Sequence, residues 1–480
     1  MMGTQRHRLV LIPPPFQGHL TPMLQLATIL HSRGFSITVA HAHFNSSDPS
    51  NHPNLNHPNF CFLPLSYGLS DTHVSSKNIV DITATLNEKC VSPITEVLVD
   101  QIEKANINHE KIACVIYDGL IYSIDSVARE LKLPSIVLRT TSATNFLTYH
   151  ASFQRQTSGC HPLQDSSLDL VPELEPLRFK DLPMFNSGDM LKEIAKTVAV
   201  RPSLGVICNT VDCLEEESLH RLHQVYKMSF FPIGPLHMIA GEDSPSSSFV
   251  EEDYSCIDWL KNQPRKSVLY VSLGSIASWE EKELTEVAWG LANSKQRFLW
   301  VIRPGTISDI SEWLQSLPKD VRVAIEERGC IVKWAPQGEV LAHQGVGGFW
   351  SHCGWNSTLE SLSEGVPIMC QPHFGDQRVN ARLLSHVWKV GIEWSNVMER
   401  DEIEGAVRRL MVNPEGKEMR QKALKLKNEI KIAISNITNL DLTFSFFHFQ
   451  KEKKNQHLFN GFHFSKAMFD SRFLASRVIM

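Results

Sequence analysis

The chain has 480 residues, 42% hydrophobic and 21% charged, with a net charge of −5 at pH 7 and a pI near 6.5. That length suits two α/β domains of ordinary size, each with its own core. The charge balance excludes the basic footprint of a nucleic-acid binder, and ten scattered cysteines with no CxxC pair or Cys/His cluster argue against both a metal site and a disulfide framework.

The first apolar run, Leu9 to Ile12, is too short for a signal peptide and leads straight into prolines. No stretch reaches the roughly 18 consecutive apolar residues of a membrane span, and reduced thiols suit the cytosol, so a soluble cytoplasmic protein is expected. Short apolar runs then alternate with helical stretches, which predicts a parallel sheet flanked by helices. Strands are expected at Arg8 to Ile12, Phe35 to His41, Phe60 to Leu63, Ala113 to Tyr117, Ser135 to Leu138 and Gly205 to Cys208. Helices are expected at Pro22 to Ser32, with Pro near its start and Gly34 past its end, and at Ser123 to Leu131.

His19 sits just past the first strand. The positive end of a following helix would disfavour its imidazolium, leaving a neutral ring to take a proton from a hydroxyl. On its own a histidine in such a turn is more often structural. Asp118 shifts the balance, because a parallel topology brings the end of the strand Ala113 to Tyr117 to the same sheet edge, where a carboxylate could fix the ring's tautomer.

The Ser/Pro/Gly-rich stretch GEDSPSSSF, residues 241–249, reads as a linker. A second α/β unit opens with Trp259-Leu260 and the strand Ser267 to Leu273. The expected division is therefore 1–240, a linker at 241–252, a second domain at 253–435, and a remainder at 436–480.

The forty-four residues from Trp334 to Gln377 carry the densest chemistry. His352-Cys353-Gly354-Trp355-Asn356-Ser357 lies between an apolar strand, Val346 to Trp350, and a short helix, Ser357 to Glu364, followed by the strand Val366 to Cys370. Such a turn presents backbone N–H groups and the positive end of a helix, which suits a diphosphate. Asn356, Ser357 and His352 add donors, and Glu360, on the same helix face as Ser357, could accept from two ribose hydroxyls. Trp334 offers a π-face to a base whose edge the main chain at Ala335 can read. Asp376 and Gln377 follow the next strand at the edge where open α/β sheets place ligands and would bond sugar hydroxyls. Gly345 to Gly348 lacks GxGxxG spacing and precedes its strand, so a nicotinamide site is not read there.

This stretch resembles the donor-binding box of the plant family 1 UDP-glycosyltransferases, and the likeness runs from about residue 7 to 435. PPFQGHLTPMLQLATIL and WKVGIEW are similar to the subgroup of cytokinin N-glucosyltransferases and diterpenoid (steviol) glucosyltransferases. The resemblance implies a GT-B fold of two Rossmann-like parallel-sheet domains facing across a cleft. It also implies inverting transfer of glucose from UDP-glucose to a hydroxyl, carboxyl or ring nitrogen of a small lipophilic acceptor. His19 and Asp118 would be the catalytic dyad, with Gly274, Ser275, Gln337, Trp355 and Thr140 as further donor contacts and Gln377 favouring glucose over galactose. Acceptor contacts are expected at Phe16, Leu86, Asn145 and Phe146 and within Phe185 to Leu204. No metal or other cofactor, no nucleic-acid or membrane partner and a monomer are expected.

Helical periodicity holds from Met419 to Ile434, where the resemblance implies a last helix crossing back onto the first domain. Instead, residues 436–480 hold nine of the chain's 24 phenylalanines without sustained periodicity, so an irregular tail is expected. Its composition is that of translated A/T-rich noncoding DNA, pointing to intron read-through or a gene-model error, with a genuine divergent tail as the alternative. A sugar-nucleotide-binding protein without turnover is the competing functional reading.

Overall fold

A computed structural model describes residues 7–43, 57–66, 79–107, 110–157, 168–183, 188–241, 250–394 and 397–439. Among them, the first half forms β1 (His7–Ile12), β2 (Ser36–His43), β3 (Phe60–Ser66), β4 (Lys111–Asp118), β5 (Ser135–Arg139), β6 (Gly205–Cys208) and β7 (Phe230–Pro232), paired in the order β3-β2-β1-β4-β5-β6-β7. The second half forms β8 (Val268–Ser272), β9 (Arg297–Val301), β10 (Gly329–Val332), β11 (Val346–Ser351), β12 (Ile368–Cys370) and β13 (Gly391–Glu393), in the order β10-β9-β8-β11-β12-β13. All these pairings are parallel. Helices cover both faces of such sheets, which is why β5 and β11 are buried at every position and read as continuous apolar runs. The expected two-sheet α/β fold is present.

Some boundaries differ from expectation. β7 and β13 are three residues each, too short for a period to register. The helix expected to begin at Pro22 begins at Gln17 and runs to Ser32, its first turn closed by the Phe16 carbonyl accepting from the N–H of His19 and Leu20. Pro22 sits inside this helix and has no N–H to give the Gly18 carbonyl, a gap that a side chain from the second half fills. Residues 242–249 of the linker expected at 241–252, and most of the tail, at 440–480, lie outside the described residues.

Each sheet has its own core. Four tryptophans, Trp279, Trp300, Trp313 and Trp350, contact one another in the second. Val379 and Leu383 of the second half pack into the core of the first. Trp355 Nε1 donates to the Asn209 carbonyl at 2.8 Å, and Glu393 accepts from Arg178 and Lys180, each at 2.8 Å. These contacts dock the halves.

The chain through Ser435 forms one compact body, and Asn436–Met480 counts apart from it. The last helix, Pro414–Asn439, is anchored on the second sheet's side by Arg420 to the Gly347 carbonyl and by Lys427 to Glu364. It continues through residues 436–439, where irregular chain was expected. Those residues contain no helix breaker, and a helix already nucleated propagates at little cost.

Candidate functional site

Strand order reverses in each sheet at one place, between β1 and β4 in the first and between β8 and β11 in the second. The carboxyl ends of strands at such points open a crevice for ligands. Here the two crevices share one cavity of about 700 Å³, lined from both halves.

On the first-half wall, His19 occupies the first turn after β1 and Asp118 ends β4. The His19 Nδ1 lies 2.9 Å from Asp118 Oδ2 and 2.9 Å from the Thr140 hydroxyl, while Asp118 Oδ1 accepts from the Leu120 N–H at 2.8 Å. Nδ1–H donates to the carboxylate, which leaves Nε2 as the basic nitrogen. Burial works against the imidazolium, but the charge and hydrogen bond of Asp118, with Asp376 adding, outweigh it and raise the His19 pKa above its ordinary 6.5. This corrects the expectation that the helix end would set the ring's charge: a carboxylate in contact exceeds a partial charge at a helix terminus. Thr140, expected at the sugar, contacts the His19 ring as well as lining the cavity.

On the second-half wall, the helix Trp355–Glu364 starts at Gly354 with no side-chain cap and no acidic residue in its first turn, leaving its first N–H groups to an anion. The turn before it is braced by Ser351 Oγ, which accepts from the Cys353 N–H, and by Asn380 Nδ2, which donates to the Cys353 carbonyl. His352 is held neutral, its pKa pushed down to about 3 by burial with His373 and Arg303 adding, so it offers a donor or acceptor without charge. Gly274 faces it at φ +69°, where an added Cβ would come within 2.5 Å of the His352 ring. The loop holding Gly274 and Ser275 is pinned by Arg303, whose guanidinium donates to the carbonyls of Ser275, Ile276 and Ala277.

Gln337 pre-orients two donor groups, giving hydrogen bonds to Ser357 Oγ at 2.8 Å and to Glu360 Oε2 while its own oxygen accepts from the Tyr270 hydroxyl. Glu360 reaches enclosed cavity space rather than bulk water, and burial raises its pKa to about 7 despite the Gln337 bond. Burial likewise raises Asp376 to about 6, with Asn380 opposing. Gln377 Oε1 accepts from the N–H groups of His373 and Phe374, so only its amide N–H groups remain to face a ligand. Trp334 is half-buried and Ala335 buried, and both line the cavity.

Two donor-box side chains have other partners. Trp355 spends its indole N–H on Asn209, so its contribution to an anion is its backbone. Asn356 Nδ2 donates to the Gly18 carbonyl at 2.8 Å, the group left open by Pro22.

Phe16 lines the cavity, but three other expected acceptor residues do not. Leu86 and Phe146 are core residues, Phe146 stacked on Tyr226, and Asn145 is fully buried with its carbonyl accepting from Thr148. Of the stretch 185–204, residues 185–187 lie outside the described residues, whereas Glu193, Ile194 and Thr197 line the cavity. Sequence reasoning also missed Tyr149 and Arg139 in this wall. A lone arginine closing the apolar strand SIVLR was the available signal for the second.

Residues 70–431 match the family of UDP-glucoronosyl and UDP-glucosyl transferases. The chain belongs to the UDP-glycosyltransferase family. It is 46% identical over 432 residues to UDP-glycosyltransferase 76E1 of Solanum lycopersicum, covering 89% of this chain and 88% of the relative. It is 44% identical over 439 residues to flavonol 3-O-glucosyltransferase UGT76E12 of Arabidopsis thaliana, covering 90% and 94%. Among solved structures it is similar to a UDP-glucosyltransferase from Polygonum tinctorium capable of glucosylating indoxyl (27% identity, 94% and 99% covered, TM-score 0.78). It is also similar to Phytolacca americana UGT2 complexed with UDP-2fluoro-glucose and pterostilbene (27% identity, 90% and 99% covered, TM-score 0.74). The two-sheet architecture is thus the GT-B fold, and this UDP-glycosyltransferase takes a UDP-sugar donor and a small-molecule acceptor. Among its described residues no helix is long and apolar enough to cross a membrane, and no three His, Cys, Asp or Glu side chains gather as metal ligands would.

Proposed function

We propose that this UDP-glycosyltransferase moves glucose from UDP-glucose to a hydroxyl of a small lipophilic acceptor, inverting the anomeric centre, with His19 as general base. The observation that carries this reading is the His19–Asp118 pair facing the uncapped helix Trp355–Glu364 across one cavity. His19 Nε2 takes the acceptor proton as the oxygen attacks C1 from the face opposite UDP, and Asp118 stabilises the imidazolium that forms. Charge developing on UDP meets the helix N–H groups, Ser357 and the neutral His352, a role that asks for no metal. The raised pKa of His19 makes it a stronger base, and holding donor and acceptor in line contributes alongside it. The flavonol activity named for the Arabidopsis relative and the pterostilbene in the Phytolacca complex support phenolic hydroxyls as nucleophiles. Carboxyl and ring-nitrogen acceptors, a cytosolic setting and a subgroup shared with cytokinin N-glucosyltransferases or steviol glucosyltransferases belong to the same proposal.

The test is UDP release from purified protein with UDP-glucose and a panel of phenols, alcohols and N-heterocycles, without added metal and with a chelator. Turnover giving a β-glucoside is expected. An α-linked product would overturn inversion, dependence on added divalent metal would overturn the metal-free step, and binding of UDP-glucose without release on any acceptor would overturn the transferase reading.

A further inference from the structure

We propose that Arg139 binds a carboxylate on the acceptor, so that preferred acceptors carry an acid group as well as the hydroxyl that is glucosylated. The inference rests on the transferase reading above and names the substrate class of the same cavity.

Arg139 ends β5 and precedes Thr140, whose hydroxyl touches the His19 ring. It lines the cavity yet is only 7% exposed. Its Nη2 donates to the Thr197 carbonyl, its guanidinium lies 4.3 Å over the Phe146 ring, and its Nε is buried with no hydrogen-bond partner. No carboxylate pairs with it among the described residues. Asp118, whose charge acts on it, has one oxygen on His19 and the other on the Leu120 N–H. Of the other acids in the cavity wall, Glu193 is bonded to Tyr122 and Lys196, and Asp376 to Asn380. An enclosed cation without an ion-pair partner is costly unless an anion completes it, and the planar guanidinium suits a carboxylate.

A second observation concerns Gly119, also in the wall: a Cβ there would come 2.4 Å from Arg139 Nη1. Any larger residue would displace the guanidinium, so glycine is what lets Arg139 pack against the main chain at the end of β4 and keep its place in the wall. The groups packed around Arg139 (Gly119, Phe146 and Thr197) all come from the first half, which places its charge on the acceptor side and away from the diphosphate. In the transfer, the carboxylate stays ionised against Arg139. The acceptor hydroxyl gives its proton to His19 Nε2, its oxygen forms the bond to C1, and the C1–O bond to UDP breaks with its electron pair leaving on UDP.

The experiment compares kcat/KM for hydroxybenzoic acids and their methyl esters with UDP-glucose, in the unaltered enzyme, Arg139→Gln and Arg139→Lys. The free acid should be favoured over its ester by about tenfold or more, the ratio should fall toward one in R139Q, and R139K should keep part of it. An acid-to-ester ratio near one in the unaltered enzyme overturns the proposal, as does an unchanged ratio in a folded R139Q whose melting temperature and UDP-glucose KM match the parent. Should R139Q fail to fold, the ratios of the unaltered enzyme and R139K decide. A preference for UDP-glucuronate over UDP-glucose with neutral acceptors, lost in R139K, would assign Arg139 to a donor carboxylate instead. Brisk release with neutral phenols and no acid preference sinks this inference alone, whereas no release with any acceptor sinks the transferase reading with it.

Discussion

The two walls of the cavity are built in opposite ways. The donor wall comes largely from one stretch, residues 334–377, whose polar groups are braced before any ligand arrives: Gln337 holds Ser357 and Glu360, and Asn380, just beyond the stretch, holds the turn at Cys353. The acceptor wall is assembled from separate segments around Phe16, Val80, Leu120, Thr140 and Ile194, largely by packing. A nucleotide sugar presents the same groups each time, so its site can be fixed as a local code on a preorganised frame. An acceptor pocket needs only shape and a few placed polar groups, which many sequences can supply.

If chemistry belongs to the acceptor wall and binding to the donor wall, substitutions should separate kcat from donor KM. The largest effect is expected at His19: His19→Ala should lower kcat by about 10²–10⁴-fold while leaving donor affinity nearly intact. Near-normal turnover on a phenol would remove His19 as base. The base works only when neutral, so the rate should fall as pH drops through the His19 pKa, which Asp118 holds above 6.5. Asp118→Asn removes the group that raises that pKa and leaves burial to lower it, so the acid limb of the kcat profile should move to lower pH as the rate falls.

On the donor wall, Gly274→Ala forces a side chain onto a residue at φ +69° and into the His352 ring. Strain of about 1–3 kcal/mol there should raise the donor KM by roughly ten- to a hundredfold, measured by initial rates at saturating acceptor. A change in kcat alone would show that the turn serves chemistry more than binding.

Glu360→Gln should raise the donor KM by about tenfold through loss of a charged acceptor for ribose hydroxyls. The pH dependence is the sharper test. The Glu360 pKa is raised to about 7, and hydroxyl donors favour the ionised form, so donor KM should climb as pH falls below about 7. That climb should be absent in Glu360→Gln. If it persists, another group, with Asp376 at about 6 the first choice, carries the linkage.

The same contrast explains what the sequence disclosed. The parallel sheets were legible because strands buried on both faces read as unbroken apolar runs, and the donor turn because its residues stand in order along the chain. His19 and Asp118 are 99 residues apart, but one opens the helix after β1 and the other ends the neighbouring strand β4, so topology alone puts them together. The acceptor wall had no such guide. Leu86 and Phe146 are the apolar residues a pocket would use, yet packing turned them into the core, while Arg139 and Tyr149 became lining. Pro22 looked like the start of a helix because proline favours a first turn, and only the fold shows that the helix accommodates it five residues in.

Pro22 also supplies the finest test of how independent the walls are. Without an N–H at residue 22 the Gly18 carbonyl has no helical partner, and Asn356 of the donor turn takes it at 2.8 Å. The first turn of the helix that carries His19 is thereby tied to the helix end expected to hold the diphosphate. Pro22→Ala restores a backbone donor that competes for that carbonyl and relieves a proline inside a helix, so the melting temperature should rise while kcat/KM falls by roughly two- to fivefold, within the net worth of one hydrogen bond. Asn356→Ala in the Pro22→Ala background should then cost less than in the parent, because part of what it removes is already gone. If the two changes are strictly additive, the bond joins two walls that act independently, and the division between a binding half and a chemical half is complete.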